Sequence, residues 1–546
     1  MLGSQLVIGA LKRRGVRCIF SLSGNQIMPL YDACIDAGIR IVHVRHEAAA
    51  VFMADGWSQV TGELGVAMLT AGPGLTNGIA PLYSAMQSES PVLLVSGDSS
   101  VAEDGMGAFQ EMDQVSITRP LTKFSHRPVT AQQLASSVDG AISAAFSGRR
   151  GPVHLALPFD LLSRESGIDH LPDIRGGKPA DKPDAAQMEK VAMLLAQARK
   201  PVVLAGASAA RRAMRGDWQA LAAKLQAPVI PLESPRGLKD PSIGRFAELL
   251  PASDLLVLAG KPVDFTLGFG RANVFGSQPV VVLDAAAAVL DRAHRLLGER
   301  LVLALQCDAA ALLQNVAQHF ADARALPDRA AWIEGAAAAV AARDLPAPAG
   351  AAKDGISPRE LCEQVQRQIE SLPETILVCD GGEFGQWAQA FCRAPLRIIN
   401  GTSGAIGGGI CYAIAAKIAR PEATVIALMG DGSSGFHFME FDTAVRESAP
   451  FVAVVGNDLR WNAERLIQLR TYGADRLIGC ELAATARYHD AAAALGGFGA
   501  AAQSREELED ALRAAIASKL PACINVRMAG QAAPTFSAAA AAASPH

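Results

Sequence analysis

Short apolar runs alternate along the chain with stretches whose apolar positions recur every three or four residues. In the first third, IRIVHV (39–44), LGVAMLT (64–70) and PVLLVSG (91–97) are apolar on both faces. Strands buried on both sides of a parallel sheet read this way. Between them, AAAVFMADGWSQVTG and LTNGIAPLYSAMQSES carry helical spacing, and GPVHLALPFDLL (151–162) closes the unit. Strand–helix–strand repetition predicts a parallel sheet flanked by helices. The same texture returns in PVVLAGASAARRA (201–213), APVIPLE, LLVLAG (255–260) and PVVVLDAAAAVL (279–290). It returns again in TILVCDGGEFG (375–385), ATVIALMGDGSSG (423–435) and FVAVVGND (451–458). GASAARRA lacks the GxGxxG spacing of a strong dinucleotide motif. Polar IRGGKPADKPDAAQ (174–187) and Ala/Pro-rich LPAPAGAAKDG (345–355) read as linkers. The pattern therefore predicts an α/β protein of three domains, each a parallel sheet flanked by helices, over 1–173, 185–344 and 356–530. A low-complexity Ala-rich tail, 531–546, follows and is expected to fray. The first and third units are expected to share a topology.

Composition narrows the function. At 546 residues the chain exceeds one ordinary core, and 50% hydrophobic with 19% charged residues suits large buried sheets. Fifty basic and 54 acidic residues give a net charge of −4, with no dense basic run, so nucleic acid is not an expected partner. Nine scattered cysteines without a CxxC pair suggest reduced, mostly buried thiols in a cytoplasmic protein. MLGSQLVIGALKRRGV places its charges after the apolar stretch, the wrong order for a signal peptide, and no run is long enough to cross a bilayer. HExxH, GxSxG and GxxxxGK[ST] are all missing, which argues against a zinc hydrolase, a serine hydrolase of the nucleophile-elbow type and P-loop chemistry.

The chemistry concentrates at strand ends. Gly430-Asp431-Gly432 directly follows the apolar run VIALM, and ligands of open parallel sheets bind at the carboxyl ends of strands. Asn457-Asp458 ends the next strand, after 24 residues that follow Gly432. Two neighbouring strands would bring Asp431 and Asp458 to one edge, where hard oxygen ligands beside a Gly-rich turn favour Mg²⁺ carrying a diphosphate. Asp-Gly turns are common by themselves; the spacing to a second acidic residue is what gives this one weight.

That spacing resembles the thiamine-diphosphate signature of the acetohydroxyacid synthase superfamily. Four further segments are similar to the same family, in the same order: RHEAAAVFMADGWSQVTG, TAGPGLTNGIAPLYSA, FQEMDQ…PLTK (109–123) and NGTSGAIGGGI. The likeness covers essentially the whole chain before the tail. It implies that Glu47 hydrogen-bonds N1′ of the cofactor's aminopyrimidine and favours its imino tautomer, with Pro73 and Asn77 also at the cofactor. It implies that Gly382, Glu383, Phe384, Gly430, Gly432 and Ser433 line the diphosphate. Ile406 would be the wedge that bends the cofactor, and the Gly404 carbonyl would receive its 4′-amino group. Asp431, Asp458 and the backbone carbonyl of Arg460 would hold Mg²⁺, although the family normally has Asn where Asp458 stands. Gln110, Gln26 and Asn25 fall where relatives place substrate-facing groups; SLSGNQIMPL carries no His there. Phe109 and Trp461 could wall the pocket, although aromatic core packing is the simpler reading of either.

The resemblance implies a thiamine-diphosphate- and Mg²⁺-dependent lyase or carboligase, decarboxylating or acyl-transferring. It would be acetolactate synthase-like, benzaldehyde lyase-like or 2-hydroxyacyl-CoA lyase-like, acting on an oxo acid, an aldehyde or an acyl-CoA. LAGKPVDFTLGFG and KLPACINV have the texture of the lyase branches. The alternatives are a FAD-containing, pyruvate oxidase-like oxidoreductase and a catalytically silent cofactor-binding homologue, the latter disfavoured by Glu47. Whether FAD, ADP or CoA occupies the middle domain is left open. The family arrangement implies a homodimer or homotetramer with active sites at the subunit interface.

Overall fold

The computed structural model describes residues 1–171, 184–214, 218–322, 326–342 and 355–534. Most of each expected linker and of the Ala-rich tail lies outside the described residues. Residues 185–187, expected to be linker, instead open the helix Ala185–Gln197, where the Asp184 side chain accepts from Ala186 N–H (3.1 Å) as an N-cap.

Three all-parallel sheets flanked by helices make up the fold. The first contains β1 (Cys18–Ser21), β2 (Arg40–His43), β3 (Gly65–Leu69), β4 (Val92–Asp98), β5 (Ser125–His126) and β6 (Val153–Pro158), in the order β2-β1-β3-β4-β6-β5. The middle sheet contains β7 (Pro201–Ala205), β8 (Val229–Pro231), β9 (Leu255–Ala259), β10 (Val280–Asp284) and β11 (Leu301–Gln306), in the order β11-β10-β9-β7-β8. The last contains β12 (Thr375–Cys379), β13 (Leu396–Ile399), β14 (Thr424–Gly430), β15 (Val452–Asn457), β16 (Phe498–Ala502) and β17 (Ala522–Arg527), in the order β13-β12-β14-β15-β17-β16. The last sheet repeats the first strand for strand, as the sequence texture suggested.

The first and last sheets belong to one compact unit, and the middle sheet belongs to another. Within the first unit, successive residues of β4 face opposite cores. Leu94 belongs to the core cluster that holds Phe20, Ala67, Ala427 and Val455, whereas Leu93 and Val95 belong to the one that holds Ile19, Ile27 and Val138. One core is thus shared by both sheets, and the helices Glu47–Thr61 and Gly409–Ala419 cross within it. Small residues allow that crossing: a Cβ on Gly56 would stand 3.0 Å from Tyr412 Cδ1 and 3.3 Å from Ala415 Cβ. Asp55 is fully buried there, and its carboxylate accepts from the Tyr412 hydroxyl (2.9 Å) and from Gln59 Nε2 (2.9 Å).

Among the described residues no helix is long and apolar enough to cross a membrane. Eight of the nine cysteines are buried, Cys307 is half-buried, and none is in a disulfide.

Candidate active site

The register of the last sheet pairs Gly430 of β14 with Gly456 of β15, so Asp431 and Asp458 leave neighbouring strand ends. Both are buried, at 3% and 5% exposure. Asp431 Oδ1 accepts from Gly432 N–H (3.0 Å), while Oδ2 is sealed from solvent without a hydrogen-bond partner. Burial lifts the Asp431 pKa to about 6. Burial, reinforced by the Asp431 charge, lifts that of Asp458 to about 7. A buried carboxylate oxygen with no donor is costly unless a cation meets it. Two adjacent carboxylates, one with an orphaned oxygen, fit a hard divalent cation.

Asn457, the other half of the pair, shapes the turn. Its Oδ1 accepts from Leu459 N–H (3.2 Å) and its Nδ2 donates to Asn525 Oδ1 (3.0 Å), with Leu459 at φ +61°. Arg460 Nε then reaches back to the Asp458 carbonyl (2.8 Å). The indole of Trp461 is half-buried and covers Gly432, where a Cβ would lie 2.5 Å from the ring. Trp461 therefore walls the Gly-rich turn, the alternative to core packing that the sequence left open. A Cβ added at Gly382, which lies at φ +83°, would stand 3.9 Å from Ser433 Oγ, so two of the expected diphosphate residues are neighbours. Glu383 stands in the first turn of the helix that Gly382 opens. Phe384 is buried beneath Gly456, where a Cβ would be 2.7 Å from its ring, so its side chain supports the turn from below.

The loop bearing Ile406 is held by Asp380, a residue the sequence reading missed. This buried carboxylate directly follows β12 and accepts from Gly381 N–H (2.6 Å), Gly407 N–H (3.0 Å) and Gly409 N–H (2.9 Å). Burial raises its pKa against the lowering effect of those three bonds. Ile406 packs over Gly381, whose Cβ would meet Ile406 Cγ2 at 2.6 Å, and Gly404 turns at φ +68°.

On the first sheet, Glu47 opens its helix directly after His46, whose Nδ1 accepts from Ala48 N–H (3.1 Å). Glu47 is half-buried, and its Oε2 accepts from Asn77 Nδ2 (2.9 Å), which closes the short helix Pro73–Asn77. Gln26 and Gln110 also meet: Gln26 Nε2 donates to Gln110 Oε1 (2.9 Å), and Gln26 Oε1 accepts from Thr70 Oγ1 (2.5 Å). Gln110 adopts φ +60° beside Gly72, where a Cβ would be 3.0 Å from Gln110 Cβ. Asn25 is exposed in the turn Asn25–Ile27 and stands outside this bonded network. Phe109 is 75% exposed, which corrects its expected place in the core.

Two sheets of one topology, with a glutamate–asparagine pair on one and an acidic pair among glycine turns on the other, define an enzyme built around a diphosphate-bearing cofactor. Residues 1–117 match the thiamine pyrophosphate enzyme N-terminal TPP binding domain, and residues 380–526 match the corresponding C-terminal domain. The chain is 34% identical to a probable acetolactate synthase of Mycobacterium bovis, over 96% of this chain and 95% of that protein. It is 32% identical to human 2-hydroxyacyl-CoA lyase 2, over 91% of this chain and 84% of that one. The fold matches a thiamine diphosphate-dependent 4-hydroxybenzoylformate decarboxylase of Rhodococcus jostii RHA1 with a TM-score of 0.80, covering 97% and 99% of the two chains at 23% identity. The chain belongs to the thiamine pyrophosphate-dependent enzyme family.

Proposed function

We propose that this enzyme breaks or forms a carbon–carbon bond beside a carbonyl, as a lyase or carboligase acting on an oxo acid, an aldehyde or an acyl-CoA. Acetolactate synthase and 2-hydroxyacyl-CoA lyase relatives support that class, and its carrying observation is the orphaned Asp431 oxygen beside Asp458. Asp431, Asp458 and the Arg460 carbonyl would hold Mg²⁺, with the diphosphate along Gly430, Gly432, Ser433 and Gly382–Phe384. When bound, thiamine diphosphate supplies a carbanion-stabilising thiazolium, the electron sink the bond change needs. Glu47, kept in place by Asn77, would bond the aminopyrimidine ring nitrogen and hold a proton there. Ile406 would support the bend between the rings, with Gly404 and Pro73 beside them.

The Gln26–Gln110–Thr70 network has no group that exchanges a proton near neutral pH, so it orients substrate by hydrogen bonds. Asn25 offers a further amide at the rim. A full site would form between two copies, in a homodimer or homotetramer. A donor panel of pyruvate, benzoin, oxalyl-CoA and a 2-hydroxyacyl-CoA tests the reading. Cofactor-dependent cleavage or ligation of at least one donor is expected from a colourless protein. A yellow protein oxidising pyruvate, or cofactor binding with no turnover on any donor, would overturn it.

A further inference from the structure

Between Gln110 and β5 the chain buries polar side chains that the roles above do not use. Gln114, 1% exposed, opens the helix Gln114–Thr118, and its Nε2 donates to the Gly97 carbonyl in β4 (2.9 Å). Its Oε1 is sealed from solvent without a hydrogen-bond partner. At the far end of that helix, the Thr118 hydroxyl donates back to the Gln114 carbonyl (3.0 Å) and lies 2.9 Å from His154 Nδ1. His154 is wholly buried in β6; its Nδ1 also lies 3.0 Å from Ser125 Oγ in β5, and its Nε2 lies 2.8 Å from Ser96 Oγ in β4. Hydroxyls donate or accept, so both nitrogens of a neutral imidazole are met. Burial keeps the ring neutral, pushing its pKa down to about 3.

Gly97 has a second neighbour. A Cβ there would stand 2.5 Å from Gln26 Cβ, so Gln26 is seated on the β4 residue whose carbonyl Gln114 holds. Gln26 Nε2 in turn donates to Gln110 Oε1 (2.9 Å). Gln110 lies at φ +60°, a left-handed backbone that a residue with a side chain keeps only where its surroundings hold it.

We propose that Gln114 and His154 are positioning residues that hold the Gln110–Thr118 segment on the first sheet and so set the Gln110 amide against Gln26. The inference rests on the substrate-facing role proposed for Gln110 and Gln26. Every residue in it lies on one sheet of one chain, so it stands however a second copy completes the site. A leucine would fill the place of Gln114 without burying an unbonded amide oxygen, and an apolar side chain would spare the desolvation of an imidazole. What the two supply is direction: a donor on the Gly97 carbonyl, and partners for hydroxyls from β4, β5 and the helix. Gln110 then meets substrate with its amide already oriented, which spares the cost of ordering it on binding.

The test uses the full-length protein with thiamine diphosphate and Mg²⁺. Gln114→Leu and His154→Leu remove the hold, whereas His154→Asn keeps an amide nitrogen where Nδ1 was. Amide hydrogen exchange across residues 108–118 is expected to quicken about tenfold or more in both leucine variants and to stay near the parent rate in His154→Asn. Cofactor affinity and deuterium exchange at the cofactor's C2, which report Glu47, should stay at the parent values in all three. With whichever of pyruvate, benzoin, oxalyl-CoA and a 2-hydroxyacyl-CoA the parent turns over, kcat/KM is expected to fall about tenfold in Gln114→Leu. In a Gln110→Ala background the same substitution should change it by less than about twofold. The proposal is overturned by parent-like hydrogen exchange in the leucine variants, or by a loss as large without the Gln110 side chain as with it. If His154→Leu cannot fold, Gln114→Leu carries the test alone. Parent-like kinetics in Gln110→Ala itself would instead remove the role of Gln110, while hydrogen exchange across 108–118 still reports the hold.

Discussion

Asp431 and Asp458 show what one residue discloses when its surroundings are read with it. Either aspartate alone is a common turn residue; side by side, buried and partly unbonded, they offer a site that a cation would complete. Asp431→Ala is expected to abolish Mg²⁺-dependent cofactor binding, measured by fluorescence titration. Unchanged affinity would remove the metal assignment. The raised pKa values also fix a pH dependence. An unfolded aspartate titrates near about 3.9, while these fold with values of about 6 and about 7. Between those limits the folded protein binds more protons than the unfolded one, so stability of the metal-free protein falls as pH rises from about 4 to about 7. Metal-free protein should therefore melt higher at pH 5.5 than at pH 8, and Mg²⁺ should recover the difference. A melting temperature indifferent to both would contradict the paired-carboxylate account. Glu47, Asp431, Asp458 and Ile406 could be nominated from sequence because each stands in a motif near a strand end. Asp380 could not, because its partners are backbone N–H groups 27 and 29 residues away, and no local pattern encodes such partners.

At the scale of elements, the strands that the sequence made plain are the central ones. β3, β4 and β15 are buried at every position, so they carry the continuous apolar runs that mark parallel strands. The strands left unread are mostly short or weakly apolar. β5 has two residues, β16 reads FGAAA without a β-branched side chain, and LRII of β13 lies at a sheet edge half open to solvent. The crossing of Glu47–Thr61 with Gly409–Ala419 is similarly hidden, since an Ala-rich helix reads alike whichever neighbour covers it. Its energetics are testable. Tyr412→Phe removes one donor from a fully buried carboxylate, which should cost about 1–3 kcal/mol. A lower midpoint in chemical unfolding, with a helix content unchanged by circular dichroism, is the expected result; an unchanged midpoint would mean that Asp55 finds another donor.

At the scale of the whole molecule, the first and last sheets share one core and one strand order, although the whole middle sheet lies between them in sequence. The repeat was visible as texture, but the shared core was not, because runs apolar on both faces do not say what covers each face. Large apolar residues remain exposed near both halves of the site, among them Phe109 (75%) and Phe436 (55%). Such surface normally meets a partner, and symmetric self-association is the commonest solution. Sedimentation at working concentration should find a dimer or tetramer, with activity lost on dilution to monomer. A fully active monomer would contradict a shared site.

A density map of the protein with thiamine diphosphate and Mg²⁺ bound tests the account most directly. The expected map places the Glu47 carboxylate against the aminopyrimidine ring nitrogen and both Asp431 and Asp458 on the ion at the other end of the same molecule. Cofactor bound elsewhere, or held at one end with Glu47 remote from the ring in every assembly, would contradict it.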